Sequence, residues 1–229
     1  MLDIQKHKFV LISILKDIYT DTSLGPLLGF KGGTAGYLFY RLPRFSVDLD
    51  FNLLNIEKKT FVFNKMREIL KKYDKVKQAR EKRFTLFFLL SYDKKAQNIK
   101  IEISKREFPD HYQIKNYLGI PMVVMRKEDM FSHKLVALCE RKNIASRDLF
   151  DLWFFMKNNW DFNKELVKLR TKMDYKEYLK KCILRVKKFN EKYILQGLGE
   201  VLDEKQKNWI KRNLKKEILF LLNFYLENY

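Results

Sequence analysis

Cysteine is nearly absent from this chain, and so are several signatures that would assign it quickly. Only Cys139 and Cys182 occur, both in apolar helical surroundings, so there is no disulfide framework and no thiolate metal cluster. A reducing cytoplasm is the expected setting. No apolar run reaches transmembrane length, and the opening Leu2-Asp3-Ile4-Gln5-Lys6-His7 lacks the uninterrupted apolar core of a signal peptide. A soluble protein with no membrane partner is expected. Internal repeats and low-complexity linkers are also missing, which excludes solenoids and flexible arrays. Two phosphate and metal motifs fail on inspection. The pattern G-x-x-x-x-G-K-[ST] does not occur, and the series Asp48, Asp50, Asn52 is no calcium loop, because Leu53 stands where the turn glycine belongs and Lys59 where the bidentate glutamate belongs.

What is present is apolar content and positive charge. At 229 residues and 46% hydrophobic, the chain can bury a sizeable core as one large domain or two small ones. Lys and Arg total 47 against 28 Asp and Glu, a formal net charge of +19, which predicts attraction to polyanions. The surplus has no single address: 18 basic and 10 acidic residues lie from Lys157 onward, against 29 and 18 before it.

The most informative stretch is Lys31-Gly32-Gly33-Thr34, followed by Arg44-Phe45-Ser46-Val47-Asp48-Leu49-Asp50-Phe51. Leu27-Leu28 enters the glycines and Tyr37-Leu38-Phe39-Tyr40 leaves them at helical spacing, so the glycines are expected where a short strand turns into a helix. Backbone N–H groups at such a helix start attract phosphate. Val47, Leu49 and Phe51 alternate with Ser46, Asp48, Asp50 and Asn52, which puts the polar four on one strand face. Carboxylates at i and i+2 can converge on hard divalent cations. Taken singly, a Gly-Gly pair is usually a turn and an Asp-x-Asp a solvated face; their order and spacing argue against both.

Elsewhere the pattern predicts a first helix over Leu2 to Tyr19 and a second over Glu57 to Tyr73. Strands are expected over Lys75 to Lys82, Phe84 to Tyr92 and Asn98 to Ser104, the middle one central because it is apolar on both faces. Tyr112 to Met125, broken by Gly119 and Pro121, reads as irregular or a further edge strand. From Lys127 onward the pattern is helical, with stops near Asn143, Asn158 and Gly197-Leu198-Gly199. The resulting division is an α/β half over residues 1–125 and a helical half over 126–229.

Further candidate residues follow. In Lys100-Ile101-Glu102-Ile103-Ser104 the isoleucines take one face, so Glu102 would complete a three-carboxylate site if its strand lay beside that of Asp48 and Asp50; the alternative is a solvated edge glutamate paired with Lys100. Lys134 falls on the stripe of Met130, Ala137 and Leu138, where an apolar residue is expected, and snorkelling to solvent is the common outcome. Asp148 and Asp151 share a helix face just after Ser146, which suits an N-cap and a first-turn acid. His133 reads as structural.

Lys31-Gly32-Gly33-Thr34-Ala35, Arg44-x-Ser46-x-Asp48-x-Asp50-Phe51, and Lys134 ahead of Arg147-Asp148-Leu149-Phe150-Asp151-Leu152 together resemble the AbiEii/AbiGii-type nucleotidyltransferase toxins of the polymerase-β-like superfamily. The blocks occur in the right order over about Lys31 to Leu152, which is more specific than any one of them. The resemblance implies a mixed α/β sheet with flanking helices and a helical C-terminal half. It also implies an enzyme that moves NMP from an NTP to an acceptor hydroxyl with release of pyrophosphate. Asp48, Asp50 and Glu102 would hold Mg2+ (or Mn2+), and Lys31, Gly32, Gly33, Thr34, Arg44 and Ser46 the nucleotide. Lys134 would neutralise triphosphate charge, with Asp148, then Asp151, orienting Lys134 or Arg147. The implied acceptor is the 3′ end of tRNA, and the implied partner an antitoxin encoded nearby. Lys- and Tyr/Phe-rich helices after Lys157 could grip the acceptor, although aromatics at helical spacing are more often core. The same chemistry on a small molecule, as in aminoglycoside nucleotidyltransferases, and a catalytically idle nucleic-acid- or partner-binding module are the other readings.

Overall fold

The computed structural model describes residues 3–93, 97–199 and 202–228. Its first helix, α1 (Ile4–Thr20), starts where the Asp3 carboxylate accepts the Lys6 N–H at 3.0 Å. Its buried stripe is His7, Leu11, Ile14, Leu15 and Ile18. Steps of three and four residues keep these side chains on one face. Strand β1 (Leu28–Lys31) then runs directly into α2 (Gly32–Phe39), the strand-to-helix turn expected from the glycines.

β2 (Leu49–Leu53) returns antiparallel to β1. A single 3₁₀ turn, Ile56–Lys58, comes before α3 (Lys59–Lys71), so the expected second helix is shorter than its periodicity suggested. The turn begins where the Asn55 side chain accepts the Glu57 N–H. Val62, Met66, Ile69 and Leu70 form the buried stripe of α3. β3 (Lys75–Glu81), β4 (Thr85–Ser91) and β5 (Ile99–Ser104) follow near their expected positions.

Tyr112 to Met125, expected to be irregular or a single edge strand, is a hairpin of β6 (Tyr112–Tyr117) and β7 (Ile120–Met125). Leu118 and Gly119 turn between them with φ of 51° and 80°. Positive φ at both central residues is the turn whose twist matches paired strands.

The seven strands form one mixed sheet in the order β3-β4-β5-β2-β1-β7-β6. β4 is therefore second from an edge rather than central, although Leu86, Phe87, Phe88 and Leu90 are buried. β5 is internal, which removes the edge-strand reading of Glu102. Phe30, Phe51, Phe88, Ile101 and Ile103 are completely buried, each contributing about 1.5–3 kcal/mol relative to exposure.

Two compact units divide the chain, Met1–Met125 and Arg126–Tyr229. The second is helical: α4 (Lys127–Glu140), α5 (Ser146–Lys157), α6 (Lys164–Thr171), α7 (Tyr175–Lys187) and α8 (Glu204–Asn228). The break between α6 and α7 was not legible in the periodicity; Lys172 ends α6 in the left-handed region and Asp174 caps α7. Aromatic residues build this unit's core. The rings of Phe155 and Trp160 stack at 4.2 Å, and the buried Tyr225 donates its hydroxyl to the Trp160 carbonyl at 2.7 Å. Cys139 and Cys182 are free thiols. Among the described residues no helix is long and apolar enough to cross a membrane.

Candidate active site

Strand register collects the candidate acids. In the β1–β2 pair Lys31 lies opposite Asp50, and in the parallel β2–β5 pair Asp50 lies opposite Glu102. Neighbouring strands are about 4.8 Å apart. A cation, an acid and a second acid thus form one row across three adjacent strands. Asp48 immediately precedes β2, two residues from Asp50 and on the same side by the period of the strand.

The backbone around Asp48 is fixed from two elements. The Thr34 hydroxyl of α2 donates to the Asp48 carbonyl. On α1, the buried His7 bonds the Val47 carbonyl through Nε2 at 2.9 Å and the Tyr92 hydroxyl through Nδ1 at 2.8 Å. A carbonyl only accepts, so Nε2 carries a proton and Nδ1 is left to accept from Tyr92 in the neutral ring. Burial lowers the His7 pKa, against the raising effects of the Val47 carbonyl and Asp48. Sequence reading missed His7; its only signal is a lone imidazole at the start of an otherwise aliphatic helical stripe.

The glycines let the acids and the helix start approach each other. Gly32 has φ of 78°, and a Cβ built there would sit 2.5 Å from Asp50 Oδ2. A Cβ on Gly33 would lie 2.8 Å from Ser46 Oγ and 2.9 Å from Arg44 Nη2. Arg44 is buried, and its Nη1 donates to the Phe45 carbonyl at 3.2 Å. The nucleotide-binding candidates Lys31, Gly32, Gly33, Thr34, Arg44 and Ser46 therefore surround the first turn of α2, beside Asp50. Unsatisfied N–H groups there suit a phosphate.

Asp50 keeps a sliver of accessible surface, yet protein surrounds its carboxyl on nearly every side. Burial raises its pKa; Lys100 and Lys31 pull it down, while Asp48 and Glu102 push it further up. Lys100 Nζ lies 3.3 Å from Asp48 Oδ2 and 3.3 Å from Glu102 Oε2. Burial alone would lower the Lys100 pKa, but Asp48, Glu102 and Asp50 together hold it above the usual lysine value.

An all-oxygen set of three carboxylates is what Mg2+ or Mn2+ prefers. As the side chains stand, no three His, Cys, Asp or Glu among the described residues converge closely enough to hold an ion. The Lys100 ammonium pairs with two of the three acids. In chemistry, though not in its present spacing, the donor set suits a divalent cation.

In the second unit, Lys134 Nζ lies 2.6 Å from Asp148 Oδ1 and 2.9 Å from Asp151 Oδ2, both carboxylates being at most 1% exposed. Lys134 does not snorkel; it pairs with two buried acids. Arg141 Nε is 3.3 Å from Asp148 Oδ2, close enough for an ion pair, although that oxygen accepts no hydrogen bond of good geometry. Arg141, not Arg147, is the arginine beside Asp148. Ala145, not Ser146, is the N-cap of α5; the Ser146 hydroxyl donates instead to the Tyr193 carbonyl at 2.7 Å. His133 accepts from Arg170 Nη1 at 2.6 Å, tying α4 to α6.

Comparison with known proteins gives the family and the fold. The family described as "Nucleotidyl transferase AbiEii toxin, Type IV TA system" matches residues 13–219. The chain belongs to this family. It is an AbiEii-type nucleotidyltransferase enzyme, and the matched span takes in both units. An uncharacterized protein of Aquifex aeolicus, aq_aa25, is 31% identical over 166 residues, covering 71% of this chain and 69% of that one. Two crystal structures share the fold. A Helicobacter pylori protein provisionally named a nucleotidyltransferase superposes with a TM-score of 0.66 at 22% identity, covering 97% of this chain and 94% of its own. JHP933, also from Helicobacter pylori, gives 0.61 at 21% identity, covering 99% and 94%.

Proposed function

We propose that this AbiEii-family enzyme transfers a nucleoside monophosphate from an NTP to the 3′-terminal hydroxyl of tRNA, in a divalent-metal-dependent reaction that blocks translation in the cytoplasm. A cognate antitoxin, which type IV systems imply, would hold the activity in check. The observation that carries the reading is the row Lys31–Asp50–Glu102 beside the N-terminus of α2. A lysine and two acids in one row at a helix start support binding of an NTP with its metal.

In this reading the first-turn N–H groups of α2, with Lys31, Arg44 and Ser46, bind and orient the triphosphate. Asp48, Asp50 and Glu102 would hold Mg2+ or Mn2+, which when bound supplies Lewis-acid stabilisation of the charge on phosphorus and on the leaving group. Glu102 accepts the proton of the acceptor hydroxyl. The freed oxygen bonds to the α-phosphorus, the bond to the bridging oxygen breaks, and pyrophosphate leaves with that electron pair. His7 and Thr34 keep Asp48 in place through the backbone. Lys134 and Asp148 retain a proposed role toward triphosphate charge.

The test is transfer of label from each [α-32P]NTP to purified tRNA, in parallel with a panel of aminoglycosides. Label at the 3′ end of tRNA is the expected result. Label only on a small molecule would overturn the acceptor, and no labelling by any NTP would overturn the activity.

A further inference from the structure

We propose that Lys100 is the resident counter-ion of the acid site, and that a divalent cation must displace it, so that metal enters with the nucleotide rather than ahead of it. The proposal deepens the metal-dependent reading above and rests on it.

Lys100 lies two residues before Glu102 on β5, and its partly exposed side chain reaches the acids. Its ammonium is equidistant, at 3.3 Å, from one oxygen of Asp48 and one of Glu102. It also exerts the largest charge effect on Asp50. One ammonium thus touches or influences every carboxylate of the site.

The consequence for metal is competitive. A cation held by Asp48 and Glu102 needs the oxygens that Lys100 now occupies, and two positive charges a few ångströms apart repel strongly in a partly buried setting. A bare ion must therefore drive the ammonium out unaided. An ion arriving on a triphosphate brings anionic oxygens with it. Those oxygens offer the displaced ammonium a new partner and offset its loss.

The experiment measures Mn2+ binding directly, by the electron paramagnetic resonance signal of the free ion, with no nucleotide present. Lys100→Met should bind Mn2+ about tenfold or more tightly than the parent. Lys100→Arg, which keeps the charge, should stay weak. Lys72→Met, which removes a lysine paired with Asp17 far along the chain, should change nothing and so controls for net charge. The metal-free thermal midpoint of Lys100→Met should fall and recover on adding Mn2+, a pattern that an ordinary lost ion pair would not produce. If Lys100→Met does not fold, Lys100→Gln serves in its place.

Equal Mn2+ affinity in parent and Lys100→Met overturns the displacement while leaving the metal site standing. Absence of Mn2+ binding in every variant, even with a non-hydrolysable NTP analogue, overturns the metal reading itself.

Discussion

Asp48 is held through its backbone, by Thr34 on its own carbonyl and by His7 on that of Val47, so its carboxylate is not needed for packing. Asp48→Asn combined with Asp50→Asn should therefore abolish label transfer and any growth arrest, because the Lewis-acid contribution of several kcal/mol is lost. The thermal midpoint should change little, since relief of crowding between the acids offsets the lost Asp48–Lys100 pair and Glu102 still pairs with Lys100. Transfer at the parent rate with equal protein abundance would refute the metal assignment. Gly32→Ala acts differently. A left-handed alanine costs about 1–2 kcal/mol, and the new Cβ meets Asp50 2.5 Å away, so both midpoint and transfer should drop. His7 gives a pH signature. Its pKa is depressed by burial, so on acidification the unfolded chain takes up the proton first. The stability it contributes is fully present above an unfolded pKa of about 6.5 and is lost as pH falls through the lower folded value. Against the parent, His7→Gln should show a flatter midpoint between about pH 6.5 and 5; superimposable slopes would exclude His7 as the cause.

At the level of elements, the ion cluster joining α4 and α5 sets a firm expectation. Lys134→Met leaves Asp148 and Asp151 buried without their shared cation, and breaking a buried pair costs about 3–5 kcal/mol. The thermal midpoint should fall sharply, and stability alone cannot then separate a catalytic lysine from a structural one. Adding Asp148→Leu and Asp151→Leu to Lys134→Met should recover most of that stability, as buried ion clusters often tolerate apolar replacement. Recovered folding without recovered transfer would favour a role for the cluster in chemistry. Periodicity predicted most of these elements because their apolar stripes follow the period of the element. It missed the β6–β7 hairpin, where the signal is Leu118-Gly119 rather than Asn-Gly, and the α6–α7 break, which Lys172 makes with no glycine. The acid pair and the strand-to-helix turn at the glycines were legible from residue type and spacing. Glu102 needed the register of a strand some fifty residues away, and His7 and Lys100 needed the folded neighbourhood: neither has a motif, and each acts only through what it touches.

For the molecule as a whole, the formal charge of +19 predicts that tRNA affinity falls nearly linearly in log K against log salt, by a factor of about ten or more between 50 and 200 mM. A flat response would favour a small neutral acceptor. Because the buried aromatics of the second unit build its core, stacking on RNA would fall to exposed rings such as Tyr193, Phe220 and Phe224. The sheet order carries one more consequence, for the newborn chain. Strand β1 completes its pairing only with β7, Phe30 beside Val124, and the Asp50 strand only with β5. Such long-range pairings close slowly compared with local ones. A ribosome making this protein must therefore release most of the first unit before the acids can meet. Until then the nascent toxin lacks a complete acid site, and a cell gains that interval to supply whatever restrains the finished enzyme.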